Sequence, residues 1–121
     1  MDAANVRSVA EVITGAGRFQ SSGDAGTHWV EHLRSHHLSV GTYSITARAT
    51  DDQVPHTEDE VYIVTAGAAR FSSSTTDALV SPGGAVFVPA GEVHRFVDVS
   101  QDFAAIVLFA PPEQEPEEPA P

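Results

Sequence analysis

Two short stretches of this 121-residue chain combine metal-ligating side chains with turn residues in an otherwise apolar pattern. The first, PHTEDEVYIVTAG from Pro55 to Gly67, places His56 just before a run of β-forming residues and Glu60 at the start of it. The second, SPGGAVFVPAGEVHRF from Ser81 to Phe96, uses a Pro-Gly turn, an apolar run and a second turn at Pro89–Gly91 to deliver His94 to the start of another such run. Two imidazoles and one carboxylate on neighbouring strands have the composition of a facial triad, which leaves about three coordination positions for water, oxygen or substrate. The other reading of the same residues is structural: His56 and Glu60 on a solvated loop beside Glu58 and Asp59, and His94 hydrogen-bonded inside the fold.

The elements that must position these groups are strands. From Thr27 onward, short runs rich in Val, Ile, Phe, Tyr and Thr are separated by Gly, Pro, Asp and Ser clusters. The pattern predicts strands at Thr27–Arg34, Leu38–Ala47, Glu60–Thr65, Ala68–Ser72, Asp77–Val80, Ala85–Val88, His94–Val99 and Phe103–Phe109. Short strands at this spacing, with no helical period between them, argue for an all-β antiparallel sandwich or barrel. Upstream, Ser8 and Glu11 have capping-box spacing and Val9, Val12 and Ile13 form a short apolar stripe ending at Gly15, which predicts one short N-terminal helix. Three regions result: 1–26 with the helix and a Gly/Ser/Asp loop, 27–110 as the β domain, and 111–121 as a disordered tail. That tail, PPEQEPEEPAP, has five prolines and four glutamates. It has no apolar area to bury, and removal of everything after Pro112 is expected to be harmless.

At its two ligand-bearing stretches the sequence resembles the cupin superfamily, over about Leu38 to Pro111. Gly83, Pro89, Gly91 and His94 follow that family's second motif, with Asp98 where the motif has Asn; His56, Glu60 and Gly67 follow the first. The first histidine of that motif falls on Val54, and the adjacent Gln53 can offer an amide oxygen in its place, as can a water. The resemblance implies an antiparallel double-stranded β-helix, or jelly-roll barrel. It also implies one divalent metal ion (iron, manganese, nickel, copper or zinc) held by His56, Glu60 and His94 with Gln53 as a fourth donor. Glu60 and Tyr62, two apart on one strand face, are the candidates for catalytic roles beside it. Cupins include dioxygenases, isomerases, cyclases, lyases and noncatalytic binding or sensing modules. The fold alone selects no reaction. The expectation is a metal-dependent oxygenase, isomerase or cyclase acting on a small organic molecule; the alternative is a noncatalytic small-molecule module.

Other residues carry weaker signals. His28 and His32 share a face of the first predicted strand with Val30, while His36 and His37 fall in a turn. Phe87, Phe96, Phe103 and Phe109 suit barrel packing, and Arg48 or Arg95 could grip an anionic substrate. Trp29 and Leu33, four apart on one strand, predict an exposed apolar edge and hence a two-fold homodimer. No cysteine is present, so disulfides and Cys-dependent chemistry are excluded. Seventeen acids against six arginines give a net charge of -11, which opposes binding to nucleic acid or anionic lipid. No apolar run reaches the roughly 20 residues of a membrane span, and no basic signal-peptide region opens the chain, so a cytoplasmic protein is expected.

Overall fold

The structure is a computed structural model, and it describes residues 8–21 and 23–114. Among the described residues, eight strands follow a 3-10 turn at Gly23–Ala25: β1 (Thr27–Arg34), β2 (Ser39–Ile45), β3 (Asp59–Ala66), β4 (Ala69–Ser73), β5 (Asp77–Val80), β6 (Ala85–Val88), β7 (His94–Val97) and β8 (Phe103–Ala110). They form a five-stranded sheet, β1-β2-β8-β3-β6, and a three-stranded sheet, β5-β4-β7. All pairings are antiparallel. The all-β antiparallel architecture expected from the strand pattern, in the jelly-roll form that the resemblance implies, is therefore the fold. The expected strands beginning at Leu38 and His94 stop short, at Ile45 and Val97: a turn closed by Ala49 N–H on the Thr46 carbonyl (2.9 Å) follows the first, and Asp98 after the second takes a left-handed backbone conformation (φ 52°) that no strand can contain.

Strand alternation decides which side chains meet. Tyr62 and Val64 of β3, Val88 of β6, Phe71 of β4, Phe96 of β7 and Phe103, Ala105, Val107 and Phe109 of β8 point between the sheets and are buried. Phe96 is the hub, with ring centroids 4.8 Å from Phe103, 4.9 Å from Tyr62 and 5.6 Å from Phe71. A fully buried aromatic or aliphatic side chain contributes roughly 1.5–3 kcal/mol. This layer is strong enough to carry a polar site at one end. Gly67, the last residue of the first motif, turns β3 into β4 at φ 77°, and a side chain there would strike the Asp102 carbonyl and come within 2.8 Å of the Phe103 Cα.

Three sequence expectations are corrected. Residues 8–14 form no helix: Val9 and Val12 are 78% and 87% exposed, and a single turn with nothing to pack against does not offset the cost of nucleation. The chain instead crosses the outer face of the large sheet, where Gly17 donates to Thr42 Oγ1 (2.8 Å) and Gln20 to Ser44 Oγ (3.1 Å). Trp29 and Leu33 lie on opposite faces, because a bulge between Glu31 and Leu33 reverses the alternation of β1. Trp29 packs inward against Phe109 at 5.8 Å. Finally, Phe87 is 62% exposed on the outer face of β6, so it is not barrel packing.

Candidate metal and small-molecule site

β3 carries Glu60 and Tyr62 at positions two apart, and both side chains turn into the barrel. β7 opens with His94, and the long segment between β2 and β3 supplies Asp51, Gln53 and His56. Backbone bonds tie the two motif regions together: Gly91 donates to the His56 carbonyl (2.8 Å) and Ala90 to Asp59 Oδ1 (2.9 Å). The turn at Pro89–Gly91 therefore sets His94 and His56 relative to one another.

Glu60 Oε1 lies 3.0 Å from His94 Nε2 and 3.6 Å from His56 Nδ1, so the three residues expected as metal ligands come together. His94 donates through Nδ1 to the Glu92 carbonyl (2.8 Å), which aims Nε2 at Glu60 and at the Tyr62 hydroxyl, 2.9 Å away. Tyr62 in turn donates to Gln53 Oε1 (2.9 Å), and Gln53 Nε2 donates to Asp51 Oδ2 (2.8 Å). Asp51 also accepts from the Tyr43 hydroxyl (2.6 Å) and from Phe96 N–H (2.8 Å). Every donor in this chain faces an acceptor, so its proton directions are mutually consistent. Gln53 thus meets the ligand set through Tyr62.

Burial disfavours charge on each of these groups, and their neighbours override it. Desolvation acts against a charged His56, but the hydrogen bond to Glu113 and the nearby Glu60 carboxylate raise its pKa to about 10. Burial would raise Glu60, yet His56 and His94 hold its carboxyl down to about 2. His94 is likewise raised, against desolvation, chiefly by Glu60 and the Glu92 carbonyl. Burial, and then the charge of Glu60, push Tyr62 well above its ordinary value. Glu60 is therefore an anion at neutral pH beside a cationic His56, the protonated form of His94 is favoured, and Tyr62 keeps its proton.

The donor set fits a divalent cation in one respect. Glu60 Oε2 and His56 Nδ1 are buried without any hydrogen-bond partner, which is the condition a cation would relieve. The separations of 3.0 and 3.6 Å also bracket the spacing of two neighbouring ligands that each sit roughly 2.0–2.2 Å from a metal. As they stand, the side chains close on each other, and among the described residues no group of three His, Asp or Glu is arranged to hold a metal ion.

A cavity of about 180 Å³ opens beside these residues. Trp29, Tyr43 and Phe109 supply its apolar walls, while Gln53, His56, Tyr62 and Glu113 supply its polar groups. Sequence reasoning missed Asp51, Tyr43 and Glu113. Residues 111–114 do not behave as a tail: Pro112 is buried and Glu113 reaches His56 Nε2 at 3.0 Å, so the chain beyond Pro112 takes part in the site. Residues 115–121 lie outside the described residues. Of the remaining candidates, His32 Nε2 is hydrogen-bonded to Thr42 Oγ1 (2.6 Å) on the outer sheet face, and His36 and His37 are exposed in the β1–β2 turn. Arg48 and Arg95 line a separate depression of about 500 Å³ beyond Asp51 and Phe96.

No protein-family model matches the chain. It is 41% identical over 85 residues to an uncharacterized protein of Streptomyces coelicolor, spanning 70% of this chain and 81% of that one. Among solved structures, an RmlC-like cupin from Shewanella frigidimarina superposes with a TM-score of 0.68 over 84% of this chain and 92% of its own, at 17% identity. The chain has the fold of that cupin. Other structures similar to this chain are KdgF from a Halomonas species (TM-score 0.66, 22% identity, 75% of this chain and 85% of that one) and the DMSP lyase DddQ from Ruegeria pomeroyi (0.67, 20%, 91% and 57%). At these identities the likeness establishes the fold alone.

Proposed function

We propose that this protein is a cupin enzyme acting on a small organic molecule, with a divalent metal held by His56, Glu60 and His94. The observation that carries the reading is the pair of buried, unpartnered atoms Glu60 Oε2 and His56 Nδ1, in a ligand set that two separate segments bring to one point. Lyases among the proteins of similar fold make catalysis in such a barrel a reasonable extension. A bound divalent ion would supply Lewis-acid polarisation of a substrate oxygen or, if iron, activation of oxygen.

The chain's own groups would divide the remaining work. Tyr62, protonated and facing the cavity, donates to a substrate oxygen in competition with Gln53 Oε1. His94 Nε2, 2.9 Å from the phenol oxygen, would be the ligating nitrogen in this reading, and its Nδ1–H on the Glu92 carbonyl would fix the ring beside Tyr62. The aromatic walls exclude water and select an apolar body. The cavity of about 180 Å³ suits a small molecule.

Elemental analysis of protein purified without a His tag, followed by calorimetric titration of the chelator-treated protein with Mn²⁺, Ni²⁺ and Zn²⁺, tests the metal. About one equivalent is expected, with His94→Ala binding at least about tenfold more weakly and His36→Ala unchanged. Equal binding by the His94 variant would remove the ligand assignment. Small-molecule binding by a protein that takes up no metal would support the noncatalytic reading, in which the self-closed hydrogen-bond network is the working state of the site.

A further inference from the structure

Beyond the ligands stands a carboxylate that belongs to neither motif. Glu113 follows β8 by three residues, in the Pro/Glu-rich segment, and every polar group it has is engaged. Its N–H donates to Ser39 Oγ (2.9 Å), its carbonyl accepts from Arg34 Nη2 (2.7 Å), and its Oε2 lies 3.0 Å from His56 Nε2. The next residue, Gln114, donates its N–H to Glu58 Oε2 (3.2 Å). Ser39 is fully buried at the start of β2, and Arg34 at the end of β1 is oriented by Glu31 through the same guanidinium (2.7 Å). The segment 111–114 is thus a strap, fixed by three separate elements of the barrel, that carries one carboxylate into the cavity wall.

From this geometry we infer that Glu113 is the positioning residue of His56. A half-turn of the imidazole about its Cβ–Cγ bond would put Cδ2 where Nδ1 stands and Cε1 where Nε2 stands, taking a nitrogen away from both Glu60 and Glu113. With Nε2–H committed to Glu113, and the ring face packed on Phe109 (4.7 Å), Nδ1 is the nitrogen left facing Glu60. A carboxylate on the far nitrogen is what holds the orientation and basicity of a ligating imidazole. The inference rests on the reading of His56 as a ligand only for its consequence for metal; the orientation of the ring is a property of the metal-free protein as well. An ordinary partly exposed ion pair would leave the ring free to flip.

The experiment compares wild type, Glu113→Gln, which keeps an acceptor, and Glu113→Ala in the full chain. In metal-free protein, nitrogen NMR should show a slowly exchanging Nε2–H on His56 in wild type and in Glu113→Gln. It should be absent in Glu113→Ala, while the remaining spectrum stays folded. With ¹¹³Cd²⁺ as the probe, coupling should appear to Nδ1 of His56 in wild type. The Ala variant should bind Cd²⁺ about 10–100-fold more weakly, and the Gln variant within a few-fold of wild type. A wild-type His56 without a protected Nε2–H, or cadmium coupled through Nε2, overturns the inference. Cadmium affinity unchanged in Glu113→Ala overturns it too. Failure of the metal reading looks different: wild type then takes up no Cd²⁺, yet the protected Nε2–H is still present and still depends on Glu113.

Discussion

Asp51 offers the sharpest test of the interior hydrogen-bond chain. It is 1% exposed and accepts from Tyr43 Oη (2.6 Å), Gln53 Nε2 (2.8 Å), Phe96 N (2.8 Å) and, more weakly, Gln53 N (3.4 Å). Replacing it by Ala leaves the Tyr43 hydroxyl, the Gln53 amide and the Phe96 N–H without their acceptor. A buried group so stranded costs roughly 1–3 kcal/mol, partly offset because a carboxylate no longer has to be dehydrated. The net expectation for Asp51→Ala is a loss of about 3–5 kcal/mol. At several degrees of melting temperature per kcal/mol for a domain of this size, that is a fall of roughly 10–25 °C.

Asp51→Asn keeps the volume and one good acceptor. Its amide oxygen can serve Phe96 N–H and Gln53, while its NH₂ turns to Tyr43, whose hydroxyl rotates to accept but then has no acceptor for its own proton. That variant should lose about 1–2 kcal/mol, and Tyr43→Phe, which removes one bond only, about 1 kcal/mol. Urea unfolding of the metal-free protein near pH 6 measures all three. An Asp51→Ala loss under about 1 kcal/mol would show that the chain from Tyr43 to His94 is incidental to the fold, and so would an Asn variant as damaged as the Ala variant.

Stability of the metal-free protein should depend on pH from both sides. Glu60, lowered to about 2, contributes fully above its unfolded value of 4.5 and loses that contribution as pH falls through 2. His56, raised to about 10, contributes fully below 6.5 and loses its contribution as pH rises through 10. Urea midpoints should therefore be highest between these unfolded values and fall on either side; a steady rise from pH 6.5 to 10 would contradict the His56 assignment. The second expectation concerns assembly: the aligned outward residues Phe87, Val61, Leu108, Val40 and Leu33 run as one apolar row across all five strands of the large sheet. Light scattering at micromolar concentration should give a dimer and Phe87→Glu a monomer, whereas a monomeric wild type would count against the pairing.

What was legible in the sequence was whatever strand periodicity and turn chemistry determine locally. Glu60 and Tyr62 share a face because they are two apart on β3, and His94 sits at a strand start because the turn at Pro89–Gly91 puts it there. The contributions that escaped were those fixed by distant contacts. Glu113 reads as solvated among prolines and glutamates, and only Ser39 and Arg34, 74 and 79 residues earlier, make it part of the site. Trp29 reads as an edge residue until the bulge in β1 turns it inward, and a bulge has no dependable sequence signature here. The spacing of Ser8 and Glu11 is a sound capping signal, but capping cannot make a helix that has no surface to cover.

The absent histidine of the first motif is accounted for by the same long-range logic. Val54 occupies its place and is 60% exposed, so that position contributes no interior donor. The polar demand of the interior is met instead by the residue before it. Gln53 links the buried carboxylate of Asp51 to the Tyr62 hydroxyl, and Tyr62 to His94. A direct ligand at position 54 would have ended at one atom. The chain in its place connects two ring hydroxyls, an amide and a carboxylate into a support that holds His94 from the side opposite Glu92. Orientation of His94 thus depends on groups as distant as Tyr43, and that of His56 on Glu113. His94 is aimed at Glu60 by the Glu92 carbonyl and by Tyr62 with Gln53 and Asp51 behind it, and His56 is held by Glu113, so restoring a histidine at position 54 would supply a donor without supplying either of those supports.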